Sequence, residues 1–283
     1  MHPVTRFAPS PTGRLHLGHA YSALLAHDFA RESDGTFLLR IEDIDPSRGR
    51  PEYVDAILED LLWLGVGWDG EIIYQSERLD LYASALERLK RAGLVYPCFC
   101  TRSEIAAEIA ASASAPHGPE GPIYPGTCRG ASRAELDRPH AWRLDMARAV
   151  EAVGPLAWRN GKGEVKADPQ AFGDVVLARK DAPASYHLAV TVDDAAQGIT
   201  DIVRGRDLYG STHVHRLLQA LLELPVPNYH HHALLADEQG RRLAKRHGAP
   251  TLADLRVAGA DPEALAAQLR SARMPAGYSL VSP

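Results

Sequence analysis

The chain has little cysteine: three residues in 283, at positions 98, 100 and 128. An odd, clustered set of thiols is a poor disulfide framework and a plausible metal site. No apolar run reaches the ~18 residues needed to cross a bilayer, so no membrane attachment is expected. The opening stretch, Met1-His2-Pro3-Val4-Thr5-Arg6, has no apolar signal core, and the reading is a cytoplasmic protein. A basic excess is missing too, with Lys plus Arg at 31, Asp plus Glu at 36 and a net charge of −5. That argues against nonspecific coating of nucleic acid, but leaves room for an RNA enzyme with local basic patches. What is present, 45% hydrophobic and 24% charged residues, is the mixture of a globular enzyme of about two domains.

The first hundred residues alternate strand and helix signals. Val4–Ala8 reads as a strand, followed by the turn Pro9-Ser10-Pro11-Thr12-Gly13. A helix is expected from about Gly18 to Glu32, with Leu24, Leu25 and Phe29 on one side, and a buried strand over Thr36–Ile41. Pro51 suits a first helical turn, and Val54, Ile57, Leu58, Leu61 and Leu64 keep core-facing spacing up to Gly65. A further helix fits Ser76 (as cap) to Lys90, with Leu79, Tyr82, Leu86 and Leu89 inward. Strand–helix–strand units with short links predict a right-handed parallel α/β sheet.

Periodicity weakens after Val95. Thr101 and Glu104 form a capping-box pattern, and residues 110–122, almost all Ala, Ser, Pro and Gly, read as a loop or insertion tip. His187–Val192 and Ile199–Val203 are read as α/β elements, the first as a strand closed by Asp193-Asp194. A helix carries Leu217, Leu218, Leu221 and Leu222, and a strand covers Ala233–Ala236. Asp261-Pro262 opens a last helix ending near Arg273. The expected organisation is 1–97 and 184–247 as two halves of a nucleotide-binding sheet, 98–183 as an inserted subdomain, and 248–283 as a short helical tail.

Two segments carry chemistry. His16-Leu17-Gly18-His19 opens the first helix, where free N–H groups and positive potential suit phosphate, and Gly18 leaves room for a planar ligand. Some 220 residues later, Arg242-Leu243-Ala244-Lys245-Arg246 is either a solvated basic turn or a lysine loop that closes on a triphosphate. His230-His231-His232 cannot converge on one metal, because alternate strand residues face opposite ways. At most one of the three is expected to act.

Arg6-Phe7-Ala8-Pro9-Ser10-Pro11-Thr12-Gly13 followed by HLGH resembles the start of class I glutamyl-tRNA synthetases. Arg40-Ile41-Glu42-Asp43-Ile44-Asp45 resembles the family's next block. Ser185-Tyr186-His187-Leu188-Ala189, Val192-Asp193-Asp194 and Ile202-Val203-Arg204-Gly205 resemble the third, and RLAKR stands in the place of the KMSKS loop. The likeness covers about 3–247. Glutaminyl enzymes are similar, but their first block usually reads PEPNG. Only 36 residues follow His247, too few for the helical anticodon-binding region of full-length members. Length and cysteine cluster together resemble the glutamyl-queuosine tRNA(Asp) synthetase paralogues.

The resemblance implies a class I synthetase-type Rossmann fold (α/β) with an inserted zinc-containing α+β subdomain and a short helical C-terminus. It implies tRNA-independent activation of L-glutamate by ATP with Mg²⁺, then transfer to the queuosine base of tRNA(Asp), by a monomer. His16, His19 and Lys245 would stabilise charge at the phosphates, with Thr12, Gly18 and Arg242 completing the ATP site. Arg6 and Arg204 would hold the two carboxylates of glutamate, Glu42 its ammonium, with Ala8, Ser10 and Tyr186 beside it. Tyr186 and Glu42 could also be sheet packing and a strand-end salt bridge. Asp193, Asp194, Asp43 and Asp45 could bind ligand or cap turns. One structural zinc would sit on Cys98, Cys100 and Cys128; imidazole chemistry suggests His117 or His140 as fourth ligand, whereas the resemblance points to Tyr124. The family loop usually has Lys and Ser where this chain has Arg242 and Ala244, with Lys245 kept. Other readings are a truncated enzyme charging the 3′ end of tRNA(Glu), and an inactive tRNA-binding paralogue.

Overall fold

The structure, a computed structural model, describes residues 2–45, 47–111, 117–119, 121–130, 136–241, 243 and 250–281. Strand β1 (Val4–Phe7) leads through the Pro/Gly turn into helix α1 (Leu17–Arg31) and back to β2 (Thr36–Ile41). β1 and β2 run parallel, Val4 opposite Thr36 and Phe7 opposite Leu39. Helix α2 (Pro51–Trp63), with Pro51 in its first turn, returns the chain to β3 (Ile73–Tyr74), parallel to β2. Ala20, Ala23, Ala26 and Ala30 of α1 are fully buried, and these small side chains let the helix lie close on the sheet. Phe37, Leu39, Ile41, Ile57 and Leu61 complete that core.

Helix α3 (Leu79–Arg91) starts later than the sequence suggests. Ser76 does not cap it: it lies within a 3-10 turn, Gln75–Glu77, and its Oγ and N–H donate to the Asp43 carboxylate at 2.6 and 2.9 Å. Leu79, expected inward, is 37% exposed, while Tyr82, Leu86 and Leu89 are buried as expected. β4 (Val95–Cys98) follows, then α4 (Arg102–Ala111), whose Thr101–Glu104 capping box is present. The Ala/Pro-rich stretch is not all loop. α4 reaches into it, and β5 (His117–Gly118) pairs with β6 (Gly121–Pro122). β7 (Ala141–Leu144), α5 (Met146–Val153), β8 (Ala157–Asn160), β9 (Gly163–Lys166) and β10 (Val176–Ala178) come next. β4, β7 and β10 form an antiparallel sheet, and β8 adds to a second parallel sheet.

Tyr186–Ala196 is helix α6, not the strand expected over His187–Val192. Leu188 through Asp194 are buried, so the segment lacks a polar stripe, and a helix buried all round reads like a buried strand. Ser185 marks its start, its hydroxyl accepting from the Leu188 N–H at 3.5 Å. β11 (Asp201–Gly205), α7 (Ser211–Leu221) and β12 (Asn228–His232) build the second parallel unit. Thr200 and Val4 exchange two hydrogen bonds (2.9 and 3.0 Å), which seats β11 beside β1. The strand order reverses there, and the carboxyl ends of β1, β2, β11 and β12 open on one crevice, the usual ligand position in an open α/β sheet. β13 (Leu234–Asp237), α8 (Leu252–Val257), α9 (Pro262–Arg270, capped by Asp261) and β14 (Tyr278–Val281) finish the chain.

Helix α8, which the sequence reading did not anticipate, is capped by Thr251 with Asp254 and packs on α2. Between them Asp60 is fully buried, with neither carboxylate oxygen hydrogen-bonded and the Arg256 guanidinium at 3.4 Å. Burial outweighs that cation and pushes the Asp60 carboxyl up to about 6. The folded state therefore holds this proton more tightly than the unfolded chain, and stability falls as pH rises through about 6. An Asp60→Asn variant should gain on the parent by about 1–2 kcal/mol between pH 5 and pH 8 in urea unfolding. A gap independent of pH would contradict this.

Candidate functional site

α1 begins at the crevice with an unusual cap. His16 is the N-cap: its Nδ1 accepts from the Gly18 N–H at 3.1 Å, and His19 Nδ1 accepts from the His16 N–H at 3.2 Å. With Nδ1 accepting in each ring, the ring proton sits on Nε2, which makes each a donor there. The rings lie 3.8 Å apart. A Cβ on Gly18 would stand 3.0 Å from His16 Cε1, so this glycine first makes room for the histidine cap. The two imidazoles are fixed before any ligand arrives.

Beneath the crevice lies a buried ion network. Arg6 on β1 donates from Nε and Nη2 to both Asp194 oxygens (3.0 and 3.3 Å). Arg40 on β2, fully buried, donates to Asp194 at 2.9 Å, to Gln197 at 2.7 Å and to Glu42 at 3.3 Å. Asp193 accepts from Gln75, Arg78 and Tyr82 at 2.9, 2.7 and 2.8 Å. Burial would push Asp194 up, yet Arg6 and Arg40 hold it below the usual carboxylate range. Asp193 and Asp194 thus neither close a strand nor cap a turn; they anchor arginines from within α6. Asp43 holds Ser76, and Asp45 accepts from Ser47 and lies 3.3 Å from Arg179. Arg40, Gln75 and Arg78 were missed in the sequence, although a charged residue inside the apolar run of β2 signals a buried partner.

Arg204 on β11 differs. It is 4% exposed, and its donors meet Thr212 Oγ1 (2.7 Å), the Leu208 carbonyl (3.1 Å), His231 Nε2 (3.2 Å) and Tyr186 Oη (3.5 Å). Among the described residues no carboxylate pairs with it. Burial, then the Arg204 charge, pushes His231 down to about 2, and His215 is likewise driven well below its usual value. Both rings are neutral, so neither cancels the cation, and His231 accepts one of its hydrogen bonds. Tyr186 is pushed up to about 12 by burial. Glu42 is raised by burial, against the pull of Arg40 and Arg6.

These groups face one cavity of about 400 Å³, lined by Arg6, Ala8, Ser10, Thr12, His16, Gly18, His19, Glu42, Tyr186 and Arg204. It gathers every expected glutamate and ATP residue that the structure describes. Arg242 and Lys245 lie outside the described residues. Their neighbours are informative: Leu243 lines the same cavity and donates to the Leu235 carbonyl at 3.0 Å. On the far side Thr251 bridges His16, and the Leu252 N–H donates to Leu15 O at 2.9 Å. A second cavity, about 440 Å³, shares Ser10, Thr12, Glu42 and Tyr186 and adds Asp45, Arg48, Arg179 and His187. The three histidines of β12 diverge as expected, to Asp201, Arg204 and Ser22.

Away from both cavities, the sulfurs of Cys98, Cys100 and Cys128 lie within 4.8 Å of one another. Tyr124 Oη stands 3.4 Å from the Cys98 sulfur and 3.6 Å from the Cys100 sulfur. A zinc tetrahedron with bonds of about 2.3 Å to sulfur and about 2.0 Å to oxygen has S···O edges of about 3.5 Å. The donor set fits zinc with Tyr124 as fourth ligand. His140 turns its Nδ1 to the Arg138 carbonyl instead, and the His117 side chain lies outside the described residues.

The family profile for class I tRNA synthetases (E and Q), catalytic domain, matches residues 3–278. A protein of Rhodobacter capsulatus named glutamyl-Q tRNA(Asp) synthetase is 51% identical over 92% of this chain and 96% of its own length. One of the same name from Nocardia farcinica is 49% identical over 93% and 82%. The crystal structure of glutamate-tRNA synthetase from Elizabethkingia anophelis superposes with a TM-score of 0.72 at 28% identity, over 89% of this chain. This chain spans 55% of that solved structure. No described helix is long and apolar enough to cross a membrane.

The buried network makes a direct prediction. Asp194→Ala leaves Arg6 without a counterion and should cost about 3–5 kcal/mol in urea unfolding. Asp181→Ala, which removes an exposed partner of Arg179, should leave the midpoint in place.

Proposed function

The chain belongs to the class I tRNA synthetase family (E and Q), and we propose that it activates L-glutamate with ATP and passes it to the queuosine base of tRNA(Asp). The observation that carries the activation step is the convergence of a histidine-capped helix start, an acid-free buried arginine and Glu42 on one cavity. Glutamate offers two carboxylates and an ammonium. Arg204 supplies the cation that lacks an internal anion. Arg6, with Nε and Nη2 held by Asp194, offers its remaining Nη1. Glu42 takes the ammonium, and Tyr186 and Ser10 add neutral hydrogen bonds.

The attacking carboxylate is ionised at neutral pH, so no protein base is required. It adds to the α-phosphorus, pyrophosphate leaves, and glutamyl-adenylate forms. Catalysis then rests on alignment and charge stabilisation. His16 and His19 present Nε2–H donors at the start of α1, and Mg²⁺ accompanies the triphosphate. The segment 244–249 is flanked by Leu243 at the cavity and Thr251 at His16. In this reading Lys245, two positions after Leu243 in the sequence, supplies an ammonium to the same phosphates. In the second step a hydroxyl of the acceptor attacks the glutamyl carbonyl and AMP leaves. The second cavity, joined to the first at Glu42 and Tyr186, is the side from which that hydroxyl enters.

The choice of acceptor follows the relatives named glutamyl-Q tRNA(Asp) synthetase, which match at 49–51% identity. Zinc on Cys98, Cys100, Tyr124 and Cys128 is structural in this reading. Those residues line neither cavity of the reaction site.

Glutamate-dependent ATP–pyrophosphate exchange should proceed without tRNA, and its absence would refute activation. Arg204→Leu should raise the glutamate KM at least 100-fold, and Lys245→Ala should lower the exchange rate by a similar factor. Nucleoside mass spectrometry of labelled tRNA(Asp) should place glutamate on queuosine. A label on the 3′ terminal adenosine of tRNA(Glu) would instead mean ordinary charging.

Because burial raises Glu42, its ionised form is lost at higher pH than for a free glutamate side chain. The glutamate KM should therefore climb as pH falls, and Glu42→Gln should flatten that limb while weakening binding. An unchanged acid limb in the variant would show that another group titrates.

A further inference from the structure

Arg143 on β7 has no role in either cavity, yet its surroundings are specific. Its Cζ sits 3.8 Å from the centre of the Tyr124 ring, a cation stacked on the phenol that faces the three sulfurs. One donor, Nη1, is fixed by the Asp174 carbonyl at 2.7 Å. Nε is buried with no hydrogen-bond partner. No carboxylate pairs with Arg143 among the described residues. The nearest acid, Asp174, is committed elsewhere: it accepts from Arg129 at 2.6 Å, from the Met146 N–H at 3.0 Å and from the Tyr96 hydroxyl. Arg129, beside Cys128 in sequence, is neutralised by that contact, whereas Arg143 is not.

Charge counting gives this arrangement a purpose. Three thiolates and a phenolate around a divalent ion leave two negative charges on the loaded site, in a partly buried setting where such charge is costly. We propose that Arg143 is a positioning residue for the metal centre: it orients the Tyr124 ring and offsets the negative charge of the loaded four-ligand site. This rests on the reading that the cluster binds zinc through Tyr124. It separates this residue from Arg129, whose charge is spent on Asp174. A purely structural cation–π contact would instead support the fold equally with and without metal.

The test is a double-mutant cycle read by zinc affinity, using chelator competition on the full-length protein at constant pH. Arg143→Met should weaken zinc binding 10–100-fold, the range expected for outer partners of metal ligands. Arg143→Lys, which keeps the charge, should recover part of that loss. In a Tyr124→Phe background the phenolate is gone, so Arg143→Met should cause little further loss. Metal-free melting temperatures measured in parallel report the structural contribution of each change. Equal zinc affinity in Arg143→Met and parent, or losses that simply multiply in the double variant, would overturn the proposal. A parent protein that holds no zinc at all would overturn the zinc reading beneath it.

Discussion

The Asp194 carboxylate, clasped by Arg6 and Arg40 in the dark between sheet and helix, is the contact on which the site depends. It ties β1, β2 and α6 together at the level where the crevice opens. Ion pairs of this kind give little net stability against a well-packed apolar alternative, because desolvation consumes most of the attraction. Their effect here is geometric. Arg6 and Glu42 reach the cavity from strand ends whose spacing is set by a shared buried anion, and α6 positions Tyr186 from the same helix that supplies it. A reaction that relies on alignment needs such stiffness more than it needs a strong acid or base.

The distribution of charge then divides the site in two. Under the floor, Arg6, Arg40 and Arg78 meet Asp193, Asp194 and Glu42, and the sum is balanced. At the wall, Arg204 has only neutral hydrogen-bond partners among the described residues, and His231 and His215 are kept uncharged by burial first and by the Arg204 charge. An unmatched cation nine-tenths buried is unfavourable in the empty protein and favourable only with an anion in place. In the proposed reaction that asymmetry favours an acidic substrate, and Glu42, lining the same cavity, adds a preference for an amine. The overall charge of −5 has no bearing on this, since the field that matters is local.

Much of this was legible in the chain. The β1–α1–β2 unit, the helix-start histidines, Arg6, Glu42, Tyr186 and Arg204 could be named from their motifs, and the structure gathers them in one cavity. The readings that failed share a physical cause. Asp193 and Asp194 looked like a strand end because α6 is buried on all sides and shows no polar stripe. Ser76 looked like a cap because its true partner, Asp43, is 33 positions away. Arg40 reads only as the start of a family block, without a partner of its own, and the link between Arg143 and Tyr124 crosses separate segments. Local pattern reports local structure; a side chain whose partner arrives through folding leaves only the oddity of a charge among apolar neighbours.

The same consideration applies to the residues on either side of the basic segment. Leu243 lines the cavity and donates to the Leu235 carbonyl, and Thr251 bridges the His16 backbone, so the described residues on both sides of the segment are anchored at the crevice. A stretch held at both ends pays a smaller closure entropy than a free arm when it engages a phosphate. Against the family's usual pattern, Ala244 lacks a hydroxyl and Arg242 keeps a positive charge, while the flanking contacts of Leu243 and Thr251 are present. In the proposed reaction this segment has one ammonium to supply, that of Lys245, and Leu243 and Thr251 are described anchors that flank it in the sequence.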